Sequence, residues 1–370
     1  MPTDPRVLQP TPKARLLALD GGGVRGFFAL EIAARIEALL REHTGRPDLV
    51  LADWFHYIGG TSTGGIIATF LSWGLPVGEV QRLYHENAAR MFTKAKILDS
   101  LTRHRFVAEG IQKFLSSYFV ESDGSPATLG SSRLRTLLLL VTRNASTGSP
   151  WPLSNNPHAK YNDPVSPGCN LAIPLWQLVR ASTAAPTYFP PEIMHVKGEH
   201  GEPLEFAFED GGVTPFNNPA FLLYLMASDP VYRLGWQRGP ENLHLVSIGT
   251  GRARQGRGAE LITNLLTQAR SLPPALIDSF QQFQDMACRA VGNCVAGPSI
   301  DGEVGDMIRL MPDATMTYAR YDKTFTSDEL QELAAHTKSG FTIDNLELVE
   351  NLCAAGREYS IEAVQIEHLT

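Results

Sequence analysis

Short apolar runs alternate with amphipathic stretches along most of the chain, which is the pattern of an α/β protein. Apolar runs predict strands at 15–19, 54–58, 134–142 and 243–248. The run at 134–142 is continuously apolar, which favours a central strand covered on both faces. Two alternating runs, 193–196 and 204–209, predict a hairpin.

Helices are predicted where apolar residues recur three and four positions apart. In the first two thirds of the chain they cover 28–40, 66–73, 77–92, 106–119, 174–184 and 217–227. Further helices are predicted within 259–292, 327–336 and 346–358, with a short strand at 307–310. Residues 143–168 are rich in Asn, Ser, Pro and Gly, and we expect a loop there, either at an active-site rim or mobile.

Two glycine-rich turns follow the first two predicted strands, and the second contains a nucleophile-elbow pattern. Residues 59–65 read GGTSTGG, so Gly60, Ser62 and Gly64 satisfy G-x-S-x-G. Small neighbours let strand and helix pass close to a serine whose hydroxyl projects from the turn. A helix N-terminus at Ser62 also supplies N–H groups to an oxyanion. The pattern predicts a nucleophilic Ser62, although a lone match of this kind is more often an ordinary turn.

The first turn, DGGGVRG at 20–26, favours anion binding. Gly21, Gly22 and Gly23 present successive N–H groups with no side chain in the way, which suits a phosphate or a transient oxyanion. Arg25 within the turn suits either anion. A glycine turn that only packs a helix on a strand remains the alternative.

The same turn also satisfies G-x-G-x-x-G through Gly26, so a nucleotide-binding regulatory module is an alternative function. Its glycines would then form a phosphate cradle. However, the acidic partner of the ribose should end a second strand about twenty residues later. Glu42 and Asp48 instead flank a helix end and a loop.

A base for Ser62 is predicted at the end of the hairpin. Asp210 follows the run 204–209 and precedes Gly211 and Gly212, which places its carboxylate where a sheet presents catalytic groups. In isolation, this Asp-Gly pair is more often a simple turn.

Together, DGGGVRG, GTSTGG, DGG and the segment 181–191 (ASTAAPTYFPP) resemble the patatin-like phospholipase family over about 15–251. The resemblance implies a three-layer α/β/α fold with a central, mostly parallel sheet. It implies a Ser62–Asp210 dyad without histidine, Ser62 as nucleophile and Asp210 as proton acceptor. Gly21, Gly22, Gly23 and Arg25 would form the oxyanion loop, and neither a metal nor a cofactor is expected.

The resemblance further implies a phospholipase A type lipid acyl hydrolase that cleaves glycerophospholipid esters through an acyl-serine. Some bacterial members of the family are switched on by cyclic nucleotides in antiphage defence. A cyclic di- or trinucleotide activator is therefore a hypothesis for this chain, since an ungated lipase would attack its own membrane. A Ser-His-Asp esterase is the enzymatic rival, with His244, His336 and His368 available.

Composition and charge limit the classes of partner, the cellular location and the state of the cysteines. The formal net charge of −7 disfavours nucleic acid as a partner of the overall field. The N-terminus has no apolar core of a signal peptide and no stretch approaches 18 apolar residues, so we expect a cytoplasmic protein. The lipid substrate that the resemblance implies would place its action at the inner face of the membrane. The cysteines lack zinc-site spacing and are expected to be buried free thiols: Cys169, Cys288, Cys294 and Cys353.

The predicted organisation has three parts: a flexible tail at 1–14, a catalytic domain at 15–251 and a mainly helical C-terminal region at 252–370 packed on it. The basic stretch 94–105 is interpreted as an ordinary solvated helix pair, with a lipid-contacting lid as the alternative. A homo-oligomer is kept as a hypothesis, because these residues do not determine the oligomeric state.

Overall fold

The structure is a computed structural model that describes residues 5–92, 100–186, 188–198, 200–253, 265–335, 337 and 340–370. For 5–6, 100–108 and 265–273 it describes the backbone alone. The basic stretch 94–105 lies largely outside the described residues, and so does His336. Both interpretations of that stretch therefore stay predictions.

Nine of the described strands form one sheet in the order β5-β6-β3-β2-β1-β7-β10-β9, with β4 on the free edge of β3. The run from β3 to β9 is parallel, while β4, β6 and β5 are antiparallel additions. The strands are β1 Ala14–Leu19, β2 Tyr57–Thr61, β3 Leu137–Asn144, β4 Ser149–Ser154, β5 Glu192–Lys197, β6 Pro203–Asp210, β7 Leu243–Ile248, β8 Arg252–Ala253, β9 Asn293–Ala296, β10 Thr317–Tyr321 and β11 Thr324–Phe325.

Helices cover both faces of this sheet, and side-chain alternation along the strands divides the core in two. Leu17 and Leu19 of β1 face one apolar cluster, while Leu16 and Ala18 face the other. The helices are α1 Pro5–Leu8, α2 Gly26–Thr44, α3 Leu51–Trp54, α4 Thr63–Ser72, α5 Val77–Phe92, α6 Ser100–Tyr118, α7 Leu175–Ser182, α8 Ala220–Ser228, α9 Leu265–Val291, α10 Ser327–Ala334 and α11 Val349–Ala363. The predicted α/β class with a mostly parallel central sheet is confirmed.

The C-terminal third contributes two strands to the central sheet besides its helices. Strands β9 and β10 continue the central sheet beyond β7, so the predicted boundary at residue 251 divides one sheet. Residues 307–310 form no strand; Arg309 makes only an isolated bridge to Cys294. The strand at 317–321 was missed because it carries Arg320, a charged residue whose bidentate partner Asp20 lies 300 residues away in the sequence.

Two further predictions differ from the structure. The interval 143–168 was predicted to be a loop, but it contains strand β4. This strand pairs with the outer edge of β3, and an edge strand tolerates its two prolines. The predicted tail is partly ordered, because Val7 of α1 is buried and the Trp236 indole donates to the Leu8 carbonyl at 3.0 Å.

Among the described helices, none is both long and apolar enough to cross a bilayer. The four cysteines are free thiols; Cys288, Cys294 and Cys353 are buried, whereas Cys169 is half-buried.

Candidate active site

Ser62 occupies a strained turn between β2 and α4. Its φ of 56° and ψ of −126° lie in a region that non-glycine residues rarely adopt. The residue is partly exposed, as the serine of a nucleophile elbow is expected to be. Strain of this kind persists only where the surroundings enforce it, and it is common at functional sites.

The flanking glycines allow this turn to form. A Cβ on Gly60 would lie 2.1 Å from the Gly64 carbonyl oxygen, and a Cβ on Gly64 would lie 2.3 Å from the Leu19 carbonyl oxygen. Neither position therefore accepts a side chain without moving backbone. The G-x-S-x-G spacing is thus required by the close approach of α4 to β1 and β2.

The sheet brings Asp210 to the end of β2. Strand β2 pairs with one edge of β3, and the last pair is Thr61 opposite Val141. Beyond that point β6 pairs with the same edge of β3, and Asp210 lies opposite Thr142. Strand β4 occupies the other edge of β3. Asp210 consequently stands next to the residue that follows Thr61, and the Ser62 hydroxyl donates to Asp210 Oδ2 at 2.6 Å.

The Asp210 carboxylate is buried and oriented from both sides. Its second oxygen, Oδ1, accepts the Gly212 N–H at 2.6 Å, and only 4% of the residue is exposed. A Cβ on Gly211 would lie 2.3 Å from the Val141 carbonyl oxygen, so this glycine permits the turn to pass over β3. Burial raises the pKa of Asp210 to about 6, although the Ser62 and Gly212 hydrogen bonds and the charge of Arg180 oppose the rise.

Ser182, at the end of α7, supports the Ser62 turn. Its hydroxyl accepts the Ser62 N–H at 3.0 Å and donates to the Val141 carbonyl at 2.7 Å. The side chain thus ties the strained turn to strand β3. The signal available in the sequence was its place in the family-like segment 181–191.

The loop of three glycines lies beside Ser62. The Gly21 N–H donates to the Asn217 carbonyl at 3.0 Å, and the Asn217 amide donates to the Gly21 carbonyl at 3.1 Å. The Gly22 N–H donates to Thr63 Oγ1 at 3.0 Å. Among the described residues, no partner holds the N–H of Gly23, which has a φ of +61°. Asn217 was absent from the predicted site, since it carries no local motif.

Arg25 lines the same cleft, but its guanidinium holds backbone. It donates to the Gly251 carbonyl at 2.7 Å and to the Gly22 carbonyl at 3.4 Å. Arg25 therefore braces the glycine loop against the turn after β7. Gly26 begins α2, with Tyr84 at ordinary contact distance from a Cβ there.

The Ser62 hydroxyl opens into a largely apolar cleft. Its volume is about 780 Å³, counted with the solvent at its mouth. Acyl chains suit such walls, because transfer of methylene groups out of water is favourable. The apolar walls come from α4, α5, α6, α9 and the loops near 189, 213 and 343, with Ile66, Met91, Phe92, Ile111, Phe189, Val213, Ile277 and Ile343.

The two described histidines of the rival triad lie elsewhere. His244 is buried near the start of β7, opposite Arg15, at the end of the sheet remote from Ser62. Burial lowers its pKa to about 3. His368 lies in the last turn of the chain, beside Tyr321. No histidine of the described residues lines the cleft, and Ser62 bonds directly to a carboxylate.

The nucleotide-cradle alternative also lacks geometric support. Two of the three glycine N–H groups already have protein partners, Asn217 and Thr63. In addition, a dinucleotide site would place an acidic residue that binds the ribose at the end of β2. Here β2 ends at Thr61 and continues into the Ser62 turn.

Sequence comparisons relate the chain to a known family. A family model described as patatin-like phospholipase matches residues 17–224. A cGAMP-activated phospholipase of Vibrio cholerae is 30% identical over 230 residues, which cover 60% of each chain. A cGAMP-activated phospholipase of Escherichia coli is 28% identical over 266 residues, 70% of this chain and 67% of that protein.

Patatin-17 of Solanum cardiophyllum is 26% identical over 249 residues, 64% of this chain and 60% of the plant protein. This chain thus spans about 60% of the length of the Vibrio and Solanum relatives. Since the family model matches more than half of the residues, the chain belongs to the patatin-like phospholipase family.

Proposed function

We propose that this chain hydrolyses acyl esters of glycerophospholipids through a Ser62–Asp210 dyad. The observation that carries the proposal is the 2.6 Å hydrogen bond from the Ser62 hydroxyl to Asp210 Oδ2, formed at a strained turn that faces an apolar cleft. A nucleophile and a base within hydrogen-bond distance meet the geometric requirement for acyl transfer.

In the first half-reaction, Ser62 Oγ attacks the ester carbonyl carbon while its proton passes to Asp210 Oδ2. The tetrahedral intermediate then collapses, the lysophospholipid oxygen leaves with the proton from Asp210, and an acyl-serine remains. In the second half-reaction, water attacks the acyl carbon and gives its proton to Asp210. The fatty acid leaves as the proton returns to Ser62.

The burial of Asp210 helps this chemistry. A carboxylate with its ordinary pKa of 3.8 is a weak base, whereas a pKa of about 6 brings it closer to the working pH. The remaining mismatch with a serine hydroxyl must be met by stabilisation of the oxyanion.

Two N–H groups are our candidates for the oxyanion hole. Gly23 has an N–H with no partner among the described residues, on the loop beside Ser62. Thr63 begins α4, so its N–H is one of the unpaired donors of a helix N-terminus. Gly21 and Gly22 hold the loop in place through Asn217 and Thr63, and Arg25 holds it through Gly251.

We also propose that a cyclic di- or trinucleotide activates the enzyme at the cytoplasmic face of the membrane. Support comes from two relatives named cGAMP-activated phospholipase. An enzyme that attacks membrane lipid needs control in its own cell, which gives a physical reason for a gate. A role in antiphage defence follows from that gating and belongs to the same proposal.

The test is fatty-acid release from mixed phospholipid vesicles by wild type, Ser62→Ala and Asp210→Asn, with and without a panel of cyclic di- and trinucleotides. We expect both variants to lose at least about a thousandfold in rate, because each removes one member of the dyad. Ser116→Ala and Asp229→Asn, which change the same residue types outside the cleft, serve as matched controls and should keep wild-type rates.

The two parts of the proposal fail separately. Release that survives both dyad substitutions would contradict the Ser62–Asp210 mechanism. Full wild-type release that no cyclic nucleotide changes would contradict the gate and leave the dyad intact.

A further inference from the structure

Arg320 connects the C-terminal part of the sheet to the glycine loop. It lies on β10, two strands away from β1, and is 2% exposed. Its side chain crosses β7, where it donates to Ser247 Oγ at 2.7 Å, and reaches Asp20 at the end of β1. Asp20 is the residue directly before Gly21, outside any direct contact with the Ser62–Asp210 pair.

The contact between Arg320 and Asp20 is bidentate and buried. Arg320 Nη1 lies 2.9 Å from Asp20 Oδ1, and Nη2 lies 2.6 Å from Oδ2. Gln281 of α9 adds a donor to Oδ2 at 3.1 Å. A planar guanidinium fork on a carboxylate fixes orientation as well as distance, which a single lysine contact does not.

The same guanidinium also holds the turn after β7. Arg320 Nη2 donates to Asp322 Oδ2 at 3.0 Å, and Asp322 Oδ1 accepts the Gly251 N–H at 3.0 Å. The Gly251 carbonyl in turn accepts from Arg25 at 2.7 Å. The glycine loop is thus anchored to Arg320 at its start, through Asp20, and at its end, through Arg25.

These anchors matter because glycines have no side chains to hold themselves in place. The position of the Gly23 N–H depends on the residues that fix the loop from outside. A displacement of about 1 Å in a catalytic group can cost about a hundredfold in rate.

We propose that Arg320 is a positioning residue for the oxyanion loop and acts through Asp20 and the Asp322–Gly251 turn. Its effect on the reaction rests on the function proposed above, while its effect on the loop does not. It gives strand β10, which lies outside the part matched by the family model, a role at the site.

A second buried ion pair separates positioning from simple stabilisation. Arg289 and Asp285 on α9 form a bidentate pair at 2.8 Å for both contacts and are equally buried. Arg289 also holds the carbonyls of Pro298 and Asp306, away from the glycine loop. If buried pairs only stabilise the fold, the same change at either arginine should have the same consequences.

The experiment compares Arg320→Lys with Arg289→Lys in the full chain. Each keeps the positive charge and loses the bidentate fork. The first measurement is amide hydrogen exchange of a peptide covering 20–26, read by mass spectrometry. The second is kcat and KM for a soluble short-chain ester, corrected for the folded fraction.

For Arg320→Lys we expect loop exchange at least about tenfold faster than in wild type, because the loop opens locally. We expect kcat to fall about 30-fold with KM within about threefold, since the ground-state contacts of the acyl chain are unchanged. For Arg289→Lys, loop exchange and kcat should stay within about twofold of wild type even where the melting temperature falls.

Equal loop exchange in the two variants would overturn the proposal. If Arg320→Lys does not fold, Asp20→Asn decides in the same assays, because it replaces one of the two acceptor oxygens of the fork by an NH2 group, removes the negative charge and keeps the side-chain shape. A wild type without Ser62-dependent hydrolysis would refute the proposed function, and loop exchange alone would then decide on Arg320.

Discussion

At the scale of single residues, Ser62 combines a reactive side chain with an unfavourable backbone. Its φ of 56° and ψ of −126° suit glycine far better than serine. The turn is maintained by the Ser182 hydroxyl on the Ser62 N–H and by the packing of Gly60 and Gly64. The protein therefore gives up stability at Ser62, and this loss can be measured.

We predict that Ser62→Gly is more stable than Ser62→Ala by about 1 kcal/mol. Both remove the hydroxyl, so the difference isolates backbone strain of about 1–3 kcal/mol, less the entropy that glycine gains on unfolding. Chemical denaturation of the two inactive variants provides the measurement. An equal or lower stability of Ser62→Gly would show that the turn is not strained.

Asp210 predicts the pH dependence of the reaction. In the proposed mechanism the Asp210 carboxylate must be ionised to accept a proton, and its pKa is about 6. We expect kcat/KM for a neutral, soluble ester to be constant above about pH 7 and to fall about tenfold per pH unit well below 6. An acid limb near the ordinary value of 3.8 would contradict a buried base.

The same group predicts the opposite trend for stability. Its pKa is raised on folding, so the folded state binds more protons than the unfolded state between about 3.8 and 6. Its contribution to stability is present below that window and is lost as pH rises through it. We expect the free energy of unfolding of Asp210→Asn to exceed that of wild type by up to about 3 kcal/mol at pH 8. This difference should vanish below pH 4. A gain that increases toward acid pH would contradict this assignment.

At the scale of secondary-structure elements, helix α4 is placed by contact with the ends of β1 and β2. A Cβ on Gly64 would lie 2.3 Å and 2.6 Å from the carbonyl oxygens of Leu19 and Asp20. The helix can thus approach the sheet only without a side chain there, and this approach aligns the Ser62 turn with the glycine loop.

We predict that Gly64→Ala costs about 3 kcal/mol or more in unfolding free energy, because backbone has to move. Gly78→Ala is the matched control: it lies in α5 with nothing within 4 Å of its Cβ, and it should gain up to about 1 kcal/mol. Thermal and denaturant unfolding of both variants tests this pair. A neutral Gly64→Ala would show that the helix can shift at little cost.

The elements also differ in how readily the sequence predicts them. Helix α5 and strand β7 begin and end where the periodicity places them, at Val77–Phe92 and Leu243–Ile248. Strand β2 begins three residues later than predicted, because Leu51–Trp54 forms a short helix before it. Apolar periodicity identifies long buried elements, whereas β10 holds a buried arginine that no local pattern explains.

At the scale of the whole molecule, the catalytic cleft depends on the entire sheet. Strand β10 pairs with β7, and helix α11 packs on α2, which follows the glycine loop. The C-terminal part thus contributes to the core, to one wall of the cleft and to the anchoring of Asp20.

We predict that a chain ending at residue 251 does not fold into an active hydrolase. The truncation exposes the edge of β7 and leaves Asp20 as a buried charge without its partner, and both effects are destabilising. Circular dichroism, gel filtration and ester hydrolysis of the fragment beside the full chain form the test. A folded, active fragment would support the predicted catalytic domain at 15–251 as an independent unit.

The sequence by itself determined the α/β class, and it predicted Ser62, the glycine loop and Asp210 as the residues of the site. These features are local: glycine spacing, a strand before a turn and apolar periodicity each act over fewer than about ten residues. The tertiary structure alone decided that Ser182, Asn217 and Arg320 hold these groups, and that β9 and β10 complete the sheet. The physical reason is distance along the chain: Arg320 and Asp20 are 300 residues apart, and only strand pairing brings two buried, opposite charges together.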